Sequence, residues 1–226
     1  MKILGRAAIM IVVLAVLLIG ADRLVWWIAR DAIATKWENL GAEEGTVRLS
    51  GFPFLNQAVT GHLQELELTA AGIERGENKI ENLDLRMNGV DFSVLQRQIR
   101  SAETLDMRMR IPVKDLGGGE LENLQVSDGT IRASTTVSGM SLTMDVEVSP
   151  GEPDAEGYPT LMLEPKNLQL PDAGILGLMM AQVQIPAQSV SLTQVPPGLT
   201  VENVKLTEQG LQLRLAGSNV QLDGMF

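Results

Sequence analysis

The stretch Gly51-Phe52-Pro53-Phe54-Leu55-Asn56-Gln57, which closes at Gly61, decides the fold of this chain. It holds two of the four Phe residues in a 226-residue sequence that is only 4% aromatic. Pro fixes the backbone angle φ and Gly allows conformations closed to other residues, so this spacing predicts an abrupt corner between two extended segments. Pro53 also stands where Pro is tolerated at a helix start, which predicts two helical turns over residues 54–60. The corner either packs on its own core or lies at one mouth of an apolar groove.

Alternation of apolar and polar residues dominates the chain after the corner. A period of two predicts strands of an antiparallel sheet that has one face in water. A short strand over residues 46–49 precedes the corner. The clearest alternating segments after it are residues 65–69, 83–87, 105–111, 142–148 and 211–215.

A short motif recurs along these strands and ends each time at a Gly. Its copies are Glu81-Asn82-Leu83, Glu122-Asn123-Leu124, Lys166-Asn167-Leu168 and Glu202-Asn203-Val204, followed by Gly89, Gly129, Gly174 and Gly210. A fifth copy, from Glu65 to Gly72, lacks the Asn. The motif predicts strands that are entered through a polar residue and left at a turn. The copies are too short and unevenly spaced for a solenoid, so we expect recurrent hairpins in one large sheet.

Two segments interrupt the alternation and predict helices. Residues 92–99 form a short one, with Phe92, Leu95 and Ile99 on one side. Residues 172–183 carry almost no charge, and a helix that is apolar nearly all round must be buried on most sides. The predicted fold class is α+β, mostly antiparallel β: a long curved amphipathic sheet that wraps one or two helices, preceded by an N-terminal apolar helix.

The N-terminus carries the pattern of a membrane or export segment. Lys2 and Arg6 precede an uncharged run over residues 7–21, which is long for a signal-peptide core and short against the roughly 20 residues that span a bilayer. Residues 1–21 are therefore a retained anchor or a cleaved signal, and we favour the anchor. Because basic residues stay in the cytoplasm, we expect a domain over residues 22–226 in the cell envelope, outside the cytoplasmic membrane and attached to it.

A helical pattern continues from residue 22 to residue 39 and ends before Gly41. We expect one face made of Leu24, Trp27, Ile28, Ile33 and Trp37. Its Trp residues either pack against the domain or contact the membrane interface.

Charge and composition exclude several functions. A formal net charge of −10 argues against nucleic acid, which selects for Lys and Arg. The chain has no Cys and a single His, His62, so thiolate chemistry and His-based metal clusters are excluded. The sequence also lacks a phosphate-binding loop and a Gly-x-Ser-x-Gly elbow. We predict a protein that is not an enzyme and needs no cofactor or metal.

The apolar face of the strands is the positive signal. Eleven Met residues give an adaptable surface, and several stand on that face. A concave apolar sheet part-filled by a helix can hold acyl chains. Alternation alone leaves open whether the sheet lines such a groove or closes on a dry core, and it does not show which face is concave.

The corner and the end of the chain resemble a known family. Gly51-Phe52-Pro53-Phe54-Leu55-Asn56-Gln57-x-x-x-Gly61 is similar to a segment of the LmeA-like family of actinobacterial cell-envelope phospholipid-binding proteins. The ending is similar too, with Val195-Pro196-Pro197-Gly198-Leu199, then Val204-Lys205-Leu206-Thr207-x-x-Gly210-Leu211, then Leu215-x-Gly217-x-x-Val220. The resemblance implies a fold related to tubular lipid-binding proteins. It also implies binding of phospholipid, with inositol phospholipid as the candidate, in support of envelope glycolipid assembly.

We therefore expect non-enzymatic phospholipid binding, possible transfer included, at the outer side of the cytoplasmic membrane. Acyl chains would lie on the apolar sheet face against the 172–183 helix, with the corner at one mouth. The candidate lipid-binding residues are Phe52, Phe54, Leu66, Leu68, Leu85, Met87, Met107, Met109, Leu142, Met144, Leu176, Met179 and Met180. The alternative is an envelope scaffold with a dry core that binds a protein partner; the sequence does not identify that partner.

Overall fold

An uninterrupted helix, α1 (Lys2–Asn39), carries the N-terminal apolar segment directly into the folded domain. The computed structural model describes residues 2–75, 78–93, 98–116, 122–127, 129–137, 140–169 and 186–222. The described chain is α+β and mostly antiparallel, as predicted. The predicted division at residue 21 falls inside α1, so one helix includes both the apolar segment and the start of the domain.

Twelve strands and one further helix follow α1 in the described residues. They are β1 (Ala42–Glu43), β2 (Thr46–Ser50), α2 (Phe54–Thr60), β3 (His62–Arg75), β4 (Asn78–Ser93), β5 (Gln98–Ile111), β6 (Glu122–Ser127), β7 (Thr130–Val137), β8 (Met140–Pro150), β9 (Thr160–Gln169), β10 (Gln188–Ser191), β11 (Thr200–Thr207) and β12 (Gly210–Gln221), with a 3₁₀ turn at Val113–Leu116. The predictions of β2 and of α2 after Pro53 are confirmed.

The strands form two antiparallel sheets. The first has seven strands in the order β1-β3-β4-β5-β12-β11, with β2 also paired to β3. The second has five strands in the order β10-β9-β8-β7-β6. Strand β11, at the edge of the first sheet, lies against β8 and β9 of the second. The single large sheet expected from the hairpin motif is therefore two sheets that share one hydrophobic core.

Apolar rows cross the first sheet from edge to edge. One row joins six strands through Val47, Leu68, Leu85, Met107, Leu215 and Val201. All six side chains are buried. Full burial of a Leu or Met contributes about 1.5–3 kcal/mol, so these rows are a large part of what holds the strands in register. The period-two alternation therefore identifies the buried face correctly.

The opposite face of the first sheet is charged and solvated. Arg86 donates to Glu67 at 2.9 Å, and Arg214 donates to Asp106 at 2.6 Å. These hydrogen bonds raise the pKa of both guanidinium groups. Such exposed cross-strand pairs favour this register and, because water screens them, contribute little to stability.

The recurrent Asn motif marks bends within strands. The pairing register shifts at or opposite all four copies, between Glu81 and Asp84, Glu122 and Gln125, Thr143 and Asp145, and Val201 and Asn203. Asn82 and Asn167 have φ of 49° and 50°, a left-handed conformation that Asn tolerates better than most residues. Because such bulges bend and twist a strand, the motif gives the sheets curvature.

The prediction that each Gly of the motif marks a turn is wrong for two copies. Gly72 and Gly89 lie inside β3 and β4, whereas Gly129 and Gly210 lie at hairpin turns. Gly174 lies outside the described residues. A Gly that follows an alternating segment cannot distinguish a turn from a bend within a long strand.

The predicted short helix over residues 92–99 is also wrong. Phe92 ends up in β4 and Ile99 in β5, and the two residues pair across the strands. Eight residues with apolar positions at both ends fit a hairpin as well as two helical turns, and the pairing of the long strands decides between them. The predicted helix over residues 172–183 lies outside the described residues.

Helix α1 covers the edge of the first sheet at β2 and β3. Trp26 Nε1 donates to the Leu49 carbonyl at 3.2 Å, and Arg30 Nε donates to the Val47 carbonyl at 3.1 Å. These side chains satisfy carbonyl groups of β2 that an open sheet edge would expose.

The recurring apolar positions of the predicted helix over residues 22–39 lie in different environments. Leu24, Trp27 and Ile28 are exposed, whereas Ile33 is half-buried and Trp37 is buried. Between residues 22 and 29, the side of α1 that packs on the core is made by Val25, Trp26 and Ala29. A helix segment that is apolar on two sides gives no sequence signal for the side that packs on the domain.

Candidate functional site

An apolar cleft lies where the last turns of α1 meet the first sheet. Its other wall is the loop between β10 and β11. The lining residues are Trp37, Leu40, Ile73, Ile80, Leu83, Leu85, Met107, Gln194, Val195 and Pro196. The cleft has a volume of about 60 Å³, and Gln194 is the one residue with a polar amide among the described residues that line it.

Trp37 forms a fixed wall of the cleft. Its indole Nε1 donates to the Thr69 carbonyl at 3.0 Å, and its side chain is buried. Gly45 lies so close that a Cβ at that position would stand 2.7 Å from Trp37 Cδ1. The indole is therefore held both by a hydrogen bond and by the packing of a neighbouring glycine.

The β10–β11 loop is held at both of its ends. The Leu192 N–H donates to the Pro159 carbonyl at 2.8 Å, and the Gly198 N–H donates to the Gly157 carbonyl at 2.9 Å. Val195 is buried between these two anchor points. The loop thus places Val195 and Pro196 over the end of the first sheet.

The structure brings two of the predicted lipid-binding residues to this cleft, Leu85 and Met107. Four others, Leu66, Leu68, Met87 and Met109, lie on the same buried sheet face, beyond the cleft. Met144 is buried in β8 of the second sheet. Leu142 also lies in β8, but its side chain is outside the described residues, as are Leu176, Met179 and Met180.

The two Phe residues of the corner lie away from the cleft and in opposite environments. Phe54 is 1% exposed and belongs to the core, whereas Phe52 is 60% exposed. The corner packs near Asp22 and Leu49, at the start of the domain part of α1, while the cleft lies at the end of α1. The corner was expected at the mouth of the lipid-binding groove, but it does not form the mouth of this cleft.

The corner is built by polar contacts around Gly51 and Gln57. Gly51 has φ of 112°, and a Cβ there would stand 2.4 Å from Gln57 Nε2. The buried Gln57 side chain accepts a hydrogen bond from the Gln64 N–H at 2.9 Å. Asp22 Oδ1 accepts the Leu55 N–H at 2.7 Å, which joins the start of α2 to α1.

Sequence reasoning missed most of the cleft. Trp37 was expected only to pack on the domain or to contact the membrane interface, and Leu40, Ile73, Ile80 and Leu83 were not among the predicted lipid-binding residues. Val195 and Pro196 could have been found, because they begin the Val-Pro-Pro-Gly-Leu segment that carries the family resemblance. The cleft joins residues that are more than 150 positions apart, and periodicity within one segment gives no information on such contacts.

The lining determines what the cleft can bind. A surface of Trp, Leu, Ile and Met with one amide suits a hydrocarbon chain and does not suit a charged ligand. Ligand sites usually enclose about 300–1,000 Å³, so this cleft holds only part of an acyl chain unless its walls separate. Two more open clefts, of about 490 and 340 Å³, have mixed polar and apolar linings.

Other chemistry is sparse in the described part of the chain. His62 contacts Asp91 at 2.9 Å at the start of β3, and both side chains are exposed. Within the described ranges, no three His, Cys, Asp or Glu residues are grouped so that they could hold a metal ion. The apolar cleft is thus the best-defined candidate site.

The described chain thus combines antiparallel sheets, an apolar cleft and a long N-terminal helix. The model of the LmeA-like phospholipid-binding family matches residues 20–216, which is most of the chain. This chain belongs to that family, and the membership supports lipid binding. Neither the curated proteins nor the solved structures gave a match.

Helix α1 has the length and composition of a membrane span. Its stretch from Met10 to Asn39 contains an apolar window that is almost entirely exposed to solvent. A signal sequence can meet the same test, so the finding concerns length and composition alone. The helix could anchor the domain in a membrane.

Proposed function

We propose that this protein binds a phospholipid without catalysing a reaction and that an acyl chain enters the apolar cleft at Trp37. The observation that carries the proposal is the match to a phospholipid-binding family over residues 20–216. The apolar lining of the cleft supports it, because burial of each CH₂ group of an acyl chain contributes about 0.8 kcal/mol.

The proposed location is the outer side of the cytoplasmic membrane, with α1 as a retained anchor. Lys2 and Arg6 support this orientation, since basic residues beside a span remain in the cytoplasm. Inositol phospholipid is the proposed ligand class, and transfer in support of envelope glycolipid assembly is the proposed role. These finer points follow from what the family resemblance implies.

A scaffold with a dry core is a second candidate, and one observation favours it. The cleft is small, and the predicted lining residues Leu66, Leu68 and Met87 are packed so closely that none is more than 1% exposed. In that case the sheet face is filled by its own side chains and the ligand is a protein.

Photo-crosslinking in vesicles distinguishes the two candidates. The full-length chain is reconstituted with a phospholipid that carries a photoactivatable group in one acyl chain, and adducts are mapped by mass spectrometry. Lipid binding predicts adducts on peptides that contain Trp37, Leu40 or Leu83, in addition to adducts on the apolar part of α1. Adducts confined to α1 before residue 29 would support the scaffold and contradict lipid binding at the cleft.

A pair of substitutions on the same helix provides the control. Leu40→Trp adds bulk to the cleft and should lower the adducts at Leu83 relative to those on the anchor. Glu38→Trp adds the same side chain on the exposed face and should leave this ratio unchanged. Competition by unlabelled phosphatidylinositol against phosphatidylethanolamine with the same acyl chains then tests the proposed head group.

A further inference from the structure

The uncharged run of α1 is too short to cross a bilayer alone. Its 15 residues, 7–21, rise about 22 Å at 1.5 Å per residue, whereas the hydrocarbon core is about 30 Å thick. About 20 residues are needed, which places the far boundary near Trp26 or Trp27. A membrane-spanning α1 therefore carries Asp22 and Arg23 within the outer part of the hydrocarbon layer or at its edge.

The corner, residues 51–61, shields Asp22 at this depth. The Asp22 side chain is 3% exposed, and its Oδ1 accepts the Leu55 N–H at 2.7 Å. A carboxylate that faces lipid costs about 2.5–3.5 kcal/mol at the centre of a membrane-spanning helix and less toward the edge of the hydrocarbon layer, so shielding Asp22 from lipid is still favourable. Because the protein covers the carboxylate, the corner that covers it must lie at the same depth as Asp22.

Exposed apolar side chains continue from α1 onto the corner. Among the side chains that the structure describes, every exposed large apolar one lies either between Met10 and Ile28 or in the corner. The two in the corner are Phe52, which is 60% exposed, and Val59, which is 81% exposed. The other large apolar side chains that the structure describes in the domain are shielded from solvent, so these two form an exception beside the span.

A cation accompanies this apolar surface. Arg23 Cζ lies 5.8 Å from the centroid of the Phe52 ring, a cation–π contact. A long Arg side chain near the end of a span extends its charged group toward the lipid phosphates. The net charge of −10 disfavours binding of the domain as a whole to an anionic membrane surface, so the attraction between Arg23 and lipid phosphates acts only at this position.

We propose that the corner is a membrane-docking surface for a glycerophospholipid leaflet. Phe52 and Val59 enter the boundary between headgroups and acyl chains, and Arg23 binds phosphate groups beside them. The leaflet is the one through which α1 leaves the bilayer, so docking fixes the domain against the membrane. This inference rests on the proposed anchoring of α1 and is independent of lipid binding at the cleft.

Depth-dependent quenching tests the proposal, and the absence of Cys from the chain makes labelling simple. Single Cys residues replace Leu17, Phe52, Val59 or Glu208 in the full-length protein, and each carries an environment-sensitive fluorophore. The proteins are placed in vesicles of phosphatidylcholine and phosphatidylglycerol that contain nitroxide-labelled lipid. Glu208 is the control, because the β11–β12 turn lies at the end of the first sheet remote from the corner.

The proposal predicts strong quenching at position 17 by nitroxides deep in the bilayer. Positions 52 and 59 should be quenched several-fold more than position 208, and best by nitroxides near the headgroups. Quenching at 52 and 59 no greater than at 208, with position 17 quenched, would overturn the docking surface and leave the anchor intact. Absence of quenching at position 17 would overturn the anchor and the docking surface together, while crosslinking at the cleft would still report on lipid binding.

Discussion

The hydrogen bond between Asp22 and Leu55 links α1 to the corner, and Asp22→Ala measures its contribution. A hydrogen bond to a charged partner contributes about 1.5–3 kcal/mol. Asp22 Oδ2 has no hydrogen-bond partner among the described residues, so removal of the carboxylate also recovers part of its desolvation cost. We therefore expect Asp22→Ala to lower the free energy of unfolding by about 1.5–2 kcal/mol, in the lower half of that range.

Thermal unfolding of the full-length protein in detergent micelles, followed by circular dichroism, reports this loss. For a domain of this size, about 2–4 °C of midpoint shift corresponds to 1 kcal/mol, so Asp22→Ala should lower the midpoint by about 3–8 °C. Asp22→Asn keeps an acceptor oxygen but loses the charge, and its effect should be about half as large.

Asp31→Ala is the matched control, since it removes an exposed carboxylate nine residues further along the same helix. It should leave the midpoint nearly unchanged. Equal midpoints for Asp22→Ala and Asp31→Ala would refute the reasoning, because the corner would then be held without the Leu55 hydrogen bond. A loss from Asp22→Asn as large as that from Asp22→Ala would show that the charge matters and the acceptor does not.

Two further predictions concern the turns. Gly61→Ala should destabilise the protein more than Gly129→Ala in urea unfolding. The two residues have similar φ, 71° and 75°, so each change costs about 1–2 kcal/mol from backbone strain. Among the described atoms, the new Cβ would meet a neighbour at Gly61, the Phe92 carbonyl oxygen at 2.8 Å, and none at Gly129, so equal losses would contradict the prediction. A hydrogen bond from Ser191, aided by backbone N–H groups, lowers the pKa of Asp154, so its carboxylate stabilises the folded state above about pH 4 and loses this effect as pH falls through the lowered pKa. Asp154→Asn should therefore reduce the loss of stability at acid pH, and Ser191→Ala should reduce it in part. An unchanged dependence of stability on acid pH would argue against the hydrogen bond.

The sequence predicts the faces of the strands well and their partners poorly. Alternation over residues 105–111 places Met107 and Met109 on a buried face, and the structure agrees. It gives no information on the pairing of β5 with β12, which is more than 100 residues further along the chain. The division into two sheets depends on such pairings, so it could not be predicted.

Part of the candidate site was predictable and part was not. Leu85 and Met107 follow from alternation, whereas Trp37 and Val195 reach the cleft only through the docking of α1 and the path of the β10–β11 loop. The two Phe residues of the corner show the limit most clearly. Phe52 and Phe54 are chemically identical and two positions apart, yet the turn at Pro53 places one in solvent and the other in the core.

The unbroken course of α1 sets how far a lipid would have to travel. Trp37 follows Asp22 by 15 residues on one continuous helix, which is about 22 Å at 1.5 Å per residue. With the bilayer boundary near Trp26 or Trp27, about 15 Å of this length lies outside the hydrocarbon layer, so under the proposed anchoring the cleft stands above the membrane surface. If the cleft takes an acyl chain as proposed, that chain has to rise out of the leaflet along α1 to reach it.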